Sequence, residues 1–146
     1  MSQSLNMFTA VGPEKFSQMT CQMAPYFSTI EPLVSELRTG HSVVQVPFRR
    51  EITNHLGTVH AIALCNAAEL AAGLMTDVSI PAGARWIPKG MSVEYLAKAK
   101  TAVRTVADGS AVDWLTPGDK IVAVDTFDEA GVRVFTARIT MNVKLS

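Results

Sequence analysis

The sequence predicts an α+β protein in which a curved antiparallel β-sheet wraps around one long central helix. Residues 58–75 are rich in alanine and leucine and contain no proline, and their single carboxylate is Glu69. This composition is typical of a helix that is surrounded by protein. Four later segments alternate apolar and polar residues, as β-strands do. A single sheet face cannot cover all sides of a helix, so the sheet must curl or a second subunit must cover the rest.

The N-terminal segment, residues 1–24, is predicted to be helical. Pro13 suits the first turn of a helix over residues 13–23. Apolar side chains at helical spacing mark the inner face of this helix: Phe16, Met19 and Met23. Prolines interrupt residues 25–38, which therefore receive no clear assignment.

Five segments are predicted to be β-strands. They are residues 41–48, 85–96, 99–108, 119–128 and 132–144. The DEAG sequence at 128–131 suits a hairpin turn, with Gly131 available for a positive φ. Thr58 is a plausible N-cap of the central helix, which is expected over residues 58–75. Residues 1–146 are therefore expected to form one domain.

Composition narrows the classes of function. The chain has 146 residues, with 13 basic and 13 acidic side chains, so its net charge favours neither nucleic acid nor a membrane surface as a partner. Charged residues make up 18%, below the roughly 25% of typical domains, which favours a surface partly covered by another subunit. No signal peptide or membrane-spanning run is recognised, and two cysteines suggest no disulfide framework. A cytoplasmic protein is expected.

Glu69 is the residue that most needs an explanation. A buried carboxylate costs several kcal/mol unless it is paired, and Glu69 stands among small apolar residues that are expected to be buried. Pairing with a backbone N–H or with Asn66 would give it a structural role. A catalytic role is the alternative.

The order of elements, together with residues 54–69, resembles the hotdog-fold acyl-CoA thioesterases, in the branch of phenylacetyl-CoA-type enzymes. That branch carries an Asn, a short Thr/Val-His-Gly-Gly turn and a carboxylate on the central helix. This sequence has Asn54, then Thr58-Val59-His60-Ala61-Ile62, then Glu69, fifteen residues after Asn54. The segment MSVEYLAKAK, 91–100, is similar to the strand that follows the helix in this family. Ala61-Ile62 replaces the usual Gly-Gly, and Glu replaces the more frequent Asp.

The resemblance implies hydrolysis of an acyl-CoA thioester in fatty acid metabolism. Glu69 would be the general base or nucleophile, and Asn54 would orient the water or the intermediate. The backbone N–H of Ala61, at the start of the helix, would donate to the oxyanion. His60 is a candidate catalytic base, although a histidine at a helix start is more often a structural donor that fixes the loop. Gly57 and Ile62 are expected to line the substrate site.

The phosphates of CoA call for local cations. Lys98 and Lys100 are the first candidates and are expected to share one strand face with Arg104. Arg49, Arg50 and Lys89 are further candidates.

The resemblance also implies self-association. Glu69 would lie roughly 15 Å along the helix from its start, too far to share one substrate with that start. In hotdog dimers the central helices are antiparallel, so Glu69 would face Asn54 and Ala61 of a second copy. A homodimer or a dimer of dimers is expected.

Two other functions remain open. Hotdog β-hydroxyacyl dehydratases place a His fourteen residues before a helical Glu, as His55 stands to Glu69, although this chain lacks their prolines. A non-catalytic hotdog module that binds acyl-CoA is the third possibility, since Ile62 could narrow the site. No metal or other cofactor is expected, because His55, His60 and Glu69 do not have metal-ligand spacing. Cys65 is interpreted as a small buried hydrophobe.

Overall fold

The computed structural model describes residues 2–146 and contains three α-helices and six β-strands within that range. The helices are α1 (Gln3–Val11), α2 (Pro13–Met23) and α3 (Ala61–Ser79). The strands are β1 (Leu33–Arg38), β2 (His41–Val46), β3 (Arg85–Tyr95), β4 (Val103–Asp108), β5 (Gly118–Asp128) and β6 (Arg133–Lys144). Short 3₁₀ helices occupy Pro25–Ile30 and Arg50–Ile52.

All six strands form one antiparallel sheet in the order β1-β2-β4-β5-β6-β3. Helix α3 contacts every strand, so the sheet curls around it. The close approach depends on small side chains, since four alanines of α3 have no exposed surface: Ala67, Ala68, Ala71 and Ala72. Ser42 of β2 also donates a 2.6 Å hydrogen bond to the carbonyl of Ala71. The predicted sheet around a central helix is confirmed.

The element bounds differ from the sequence predictions in several places. Helix α2 and the hairpin at Gly131 (φ 83°) agree with them. The central helix covers 61–79 instead of 58–75, because the His60 side chain caps it and Thr58 belongs to the preceding loop. The strand expected over 99–108 begins only at Val103, and the strand expected over 41–48 ends at Val46.

Helix α1 lies within the predicted helical segment 1–24, whereas strand β1 was missing from the sequence prediction. Helix α1 begins at Gln3, and the side chain of the preceding N-cap, Ser2, accepts a hydrogen bond from the Leu5 N–H. Strand β1 starts just after the second proline of the stretch that received no assignment. The bulge between Val34 and Glu36 breaks the alternation on which a strand prediction depends.

The two edges of the sheet differ in how far they are covered by other parts of the chain. At the β1 edge, the buried Ser17 of α2 accepts a 2.8 Å hydrogen bond from the Val34 N–H. At the other edge, every residue of β3 except Trp86 and Val93 is exposed. An exposed strand edge offers unpaired N–H and C=O groups to another chain. The β3 edge is therefore the open side of the fold.

Helix α3 is long and apolar enough to cross a membrane by length and composition. However, 67% of its apolar window is buried inside the protein, as expected for the core helix of this sheet.

A buried pair of threonines tests the packing of the sheet. Thr105 and Thr126 face each other on β4 and β5, have no exposed surface, and share a 2.9 Å hydrogen bond between their hydroxyls. Thr105→Val or Thr126→Val alone leaves one buried hydroxyl unpaired, so each should lower the free energy of unfolding by about 1–3 kcal/mol. The double Val variant should lose less free energy of unfolding than the sum of the losses in the two single variants. Urea unfolding of all four proteins measures the coupling, and strict additivity would contradict a paired role.

Candidate active site

A tight loop that contains Asn54 and Gly57 precedes the start of α3. Asn54 Oδ1 accepts hydrogen bonds from the N–H groups of Leu56 (2.9 Å) and Thr58 (3.2 Å), and Asn54 Nδ2 donates to Thr58 Oγ1 (3.0 Å). Gly57 has a φ of 77°, a backbone conformation that is unfavourable for residues with a side chain. Both side-chain groups of Asn54 are thus engaged inside the loop. This arrangement matches a turn former more closely than a residue free to orient water.

The first turn of α3 presents an open backbone donor. His60 Nδ1 accepts a 3.0 Å hydrogen bond from the Ile62 N–H, so His60 acts as a helix cap through an acceptor rather than as a donor. Among residues 2–146, no hydrogen bond uses the Ala61 N–H. That group lies at the positive end of a 19-residue helix, where an anion is stabilised.

Glu69 is exposed in the single chain, so the prediction of a buried carboxylate is wrong at this level of structure. It shares one stripe of α3 with Ile62, which is 54% exposed, and with the partly exposed Cys65. Asn66 does not pair with Glu69: Asn66 is buried and its Nδ2 donates to Thr29 Oγ1 at 3.1 Å, whereas Glu69 lies on the exposed side of the helix. The sheet covers the other sides of α3 and leaves this stripe open.

Cys65 is not the buried hydrophobe that the sequence suggested. Its sulfur lies 3.6 Å from the hydroxyl of Tyr95 on β3. This hydrogen bond is the main cause that raises the pKa of Tyr95 above its ordinary value. The contact joins the open stripe of α3 to the open β3 edge.

The lysines expected on a strand lie in a loop instead. Lys98 and Lys100 are exposed and belong to the connection between β3 and β4. Between them, the carbonyl of buried Ala99 accepts a 2.8 Å hydrogen bond from the Val59 N–H. This bond holds both lysines beside the start of α3, and neither forms an ion pair with another residue of the described chain, 2–146.

Three of the other cations that the sequence offered for phosphate are already paired. Arg49 lies 3.4 Å from a carboxylate oxygen of Glu31. Lys89 lies 3.0 Å from Asp119. Arg104 also has a carboxylate neighbour, Glu36, at 3.8 Å. Arg50 is exposed and forms no ion pair within residues 2–146, so Lys98, Lys100 and Arg50 are the unpaired candidates.

A cavity of about 500 Å³ lies between the N-terminal helices and α3. Its apolar lining includes residues of α1, α2, the following 3₁₀ helix and α3: Met7, Phe16, Met19, Met23, Phe27, Leu70 and Leu74. Glu69 also lines it. The volume falls within the roughly 300–1,000 Å³ of small-molecule pockets. The candidate acid thus borders both the open stripe and an apolar chamber.

A polar cluster ties together α1, α3 and β3 at this cavity. Asp77 accepts a 3.0 Å hydrogen bond from Trp86 Nε1 at one carboxylate oxygen and a hydrogen bond from Ser4 Oγ at the other. The Trp86 ring packs over Gly73, where an added Cβ would lie 2.9 Å from the indole. Glycine is therefore required there for the ring to approach α3 closely.

Sequence reasoning missed the contribution of the N-terminal helices to this cavity. The residues that carry the resemblance, 54–69 and 91–100, lie outside these helices, so the helices had no assigned role. One signal was present: four of the seven methionines lie within the first 23 residues. Methionine is common where a flexible apolar surface must adapt to its contents.

The remaining predicted residues are placed as follows. His55 is exposed in the loop that Asn54 holds, and its role with Glu69 in a dehydratase stays a prediction. Within residues 2–146, no three His, Cys, Asp or Glu side chains come together as a metal site. Cys21 and Cys65 are both free thiols.

Comparison with known proteins identifies the family. Residues 12–143 match the family described as "Domain of unknown function (DUF4442)", and the chain belongs to it. No curated protein matches the chain.

Solved structures confirm the fold. The genomics target APC5556 is 58% identical, with a TM-score of 0.91 over 99% of this chain and 97% of its own. A Pseudomonas aeruginosa protein of unknown function, described as a probable thioesterase, is 19% identical, with a TM-score of 0.77 over 90% and 95%. A Haemophilus influenzae thioesterase is 15% identical, with a TM-score of 0.73 over 82% of both chains. The α+β hotdog fold and the likeness to thioesterase-type hotdog structures are confirmed.

Substitution of Asn54 tests its role in the loop. Asn54→Ala removes both the acceptor and the donor and should lower the free energy of unfolding by about 1–2 kcal/mol. Asn54→Asp keeps the acceptor for the two N–H groups and should restore most of this loss. Urea unfolding compares the stability of the variants. If Asn54→Ala is as stable as the wild type, Asn54 does not stabilise the loop.

Proposed function

We propose that this protein hydrolyses an acyl-CoA thioester to a carboxylic acid and CoA. The observation that carries the proposal is the position of Glu69, which borders both an exposed face of α3 and the apolar cavity. A carboxylate at the mouth of an apolar chamber suits a substrate with a polar reacting group and an apolar tail. The hotdog neighbours described as thioesterases add support at the level of fold.

In the proposed reaction, Glu69 takes a proton from a water molecule as that water attacks the thioester carbonyl. The new C–O bond forms a tetrahedral oxyanion, which the Ala61 N–H stabilises at the helix start. The C–S bond then breaks, and the proton held by Glu69 passes to the departing thiolate. The products are the free acid and CoA.

This reaction needs two copies of the chain. Ala61 and Glu69 are eight residues apart on one helix, which separates them by about 12 Å along its axis. One carbonyl therefore cannot contact both within a chain. Pairing of two β3 edges would place the open α3 stripes of two copies against each other, so that Glu69 acts with Ala61 of the second copy. The exposed β3 edge and its apolar side chains support this homodimer, and a dimer of dimers would keep the same site.

The phosphates of CoA are assigned to Lys98 and Lys100. Both lysines lie beside the helix start at which the oxyanion would form, and both lack a carboxylate partner within residues 2–146. A ligand bound there would place its thioester near Ala61 and extend its acyl group toward Glu69 of the other copy. A cytoplasmic location, where acyl-CoA is available, is part of the same proposal.

Glu69→Gln tests the chemistry. The amide keeps the size of the side chain but cannot accept the proton of water, so thiol release from acyl-CoA should fall by about 100-fold or more. Glu129→Gln is the matched control, because Glu129 is exposed in the turn between β5 and β6, away from the cavity. Hydrolysis that persists in Glu69→Gln would remove Glu69 from the reaction. Hydration of an enoyl-CoA by the wild type would instead favour the dehydratase alternative.

Met91→Glu tests the two-chain site. Met91 lies on β3 with 43% of its surface exposed, and a charge there should oppose the pairing of two β3 edges. We expect light scattering to find a monomer and thiol release to fall at least tenfold, since Glu69 would lose its partner. Leu115→Glu is the control: Leu115 is 75% exposed in the loop before β5, and both properties should be retained. A fully active monomer would refute the shared site.

A further inference from the structure

We infer that the cavity between the N-terminal helices and α3 takes acyl groups that are hydrocarbon throughout and rejects acyl groups that end in a carboxylate. This inference rests on the proposed function, because a thioester at Glu69 is what would bring an acyl group to the cavity. It adds the chemical class of the acyl group, which the fold alone does not give.

The charges on the cavity wall are all negative. Its ionisable lining residues are Glu69 and Asp77, and no lysine, arginine or histidine of the described residues, 2–146, lines it. Most of the other lining side chains are apolar. A carboxylate that enters this space loses its hydration and meets like charges, with no cation to compensate for either cost.

The hydrogen-bond donors of the wall are already in use. A carboxylate only accepts hydrogen bonds, so it needs donors in place of the water that it loses. Trp86 Nε1 and Ser4 Oγ both donate to Asp77. Thr20 Oγ1 donates to a backbone carbonyl of its own helix at 2.9 Å. Among the side chains that line the cavity, this leaves the amide of Gln3, which is exposed.

The start of α1, which reaches the cavity, already has an anion beside it. Ser4 lies in the first turn of α1, and that turn contains no acidic residue of its own. The dipole of a helix favours a negative charge at this end. Asp77 provides the charge, because it accepts the hydrogen bond from Ser4. A substrate carboxylate at the same place would have to displace Asp77 or lie next to it.

The apolar part of the wall suits a hydrocarbon. Met7 and Met19 line the cavity from the N-terminal helices, and Leu70 and Leu74 line it from α3. Thioether side chains adapt their shape to an irregular apolar ligand at little cost. An alkyl or aryl group gains free energy when it leaves water and needs no donor from the protein.

The test compares acyl-CoA substrates that have equal carbon number and differ only at the terminal group. The pairs are pentanoyl-CoA with glutaryl-CoA and hexanoyl-CoA with adipoyl-CoA, and thiol release is corrected for the rate without enzyme. The kcat/KM of the wild type should be at least about tenfold higher for the hydrocarbon member of each pair, because the carboxylate is not compensated in the cavity. A ratio below this value in either pair would overturn the inference.

Met19→Lys supplies the missing cation. Met19 is half-buried on α2 and lines the cavity, and the apolar stem of a lysine can follow the same surface. The preference for hexanoyl-CoA over adipoyl-CoA should fall at least about tenfold in this variant. A ratio measured within one protein is not altered by a general loss of activity. If Met19→Lys is insoluble, Met23→Lys replaces it, since Met23 also lines the cavity and is 87% exposed.

Gln18→Lys is the matched control. Gln18 is exposed on α2 and does not line the cavity, so the same charge is added to the same helix outside the chamber. The substrate ratio should keep its wild-type value. An equal change of the ratio in Gln18→Lys, or no change in a soluble cavity lysine variant, would contradict selection by the cavity wall.

Calorimetric binding of hexanoyl-CoA and adipoyl-CoA to the wild type separates this inference from the proposed function. If no acyl-CoA is hydrolysed but hexanoyl-CoA binds at least about tenfold more tightly, the cavity assignment stands and the hydrolase fails. If hydrolysis occurs without the expected preference, the hydrolase stands and the cavity assignment is overturned. Without hydrolysis, equal binding or no binding of the two ligands would overturn both.

Discussion

The structure depends on covering one helix that is apolar on nearly all of its sides. Burial of such a helix is favourable in proportion to the apolar area removed from water, and no flat layer can provide it alone. The sheet curls around α3 and packs against its alanines, which have no exposed surface. The N-terminal helices cover a second part of α3, and only the stripe containing Ile62, Cys65 and Glu69 remains open.

The N-terminal helices serve two purposes in this arrangement. Ser17 of α2 accepts a hydrogen bond from the backbone at the β1 edge and so makes that edge a poor site for pairing. The same helices stand far enough from α3 to leave the cavity, while Ser4 secures α1 to Asp77. Within residues 2–146, the β3 edge has no such cover. The fold is therefore closed at one edge and open at the other, beside the candidate site.

Because Glu69 is exposed in the single chain, it does not need the partner that a buried carboxylate would require. A carboxylate fully buried in a helix core would need a compensating partner. In the single chain Glu69 keeps access to water and also lines the cavity. A carboxylate that remains solvated yet borders an apolar chamber can meet a polar group at the end of an apolar ligand without a large desolvation cost. Association of two chains would then enclose it only when the site is formed.

The sequence by itself determined the elements whose signals are local. The proline start and helical spacing define α2, the alanine-rich run defines the core of α3, and alternation defines β5 and β6, because 3.6- and 2-residue periods are written in neighbouring residues. Only the tertiary structure decided that Asn54 is held within its loop, that Ala99 draws Lys98 and Lys100 to the helix start, and that Trp86 lies on Gly73. These contacts join segments far apart in the chain, or depend on how a side chain is already bonded, and no local period encodes them.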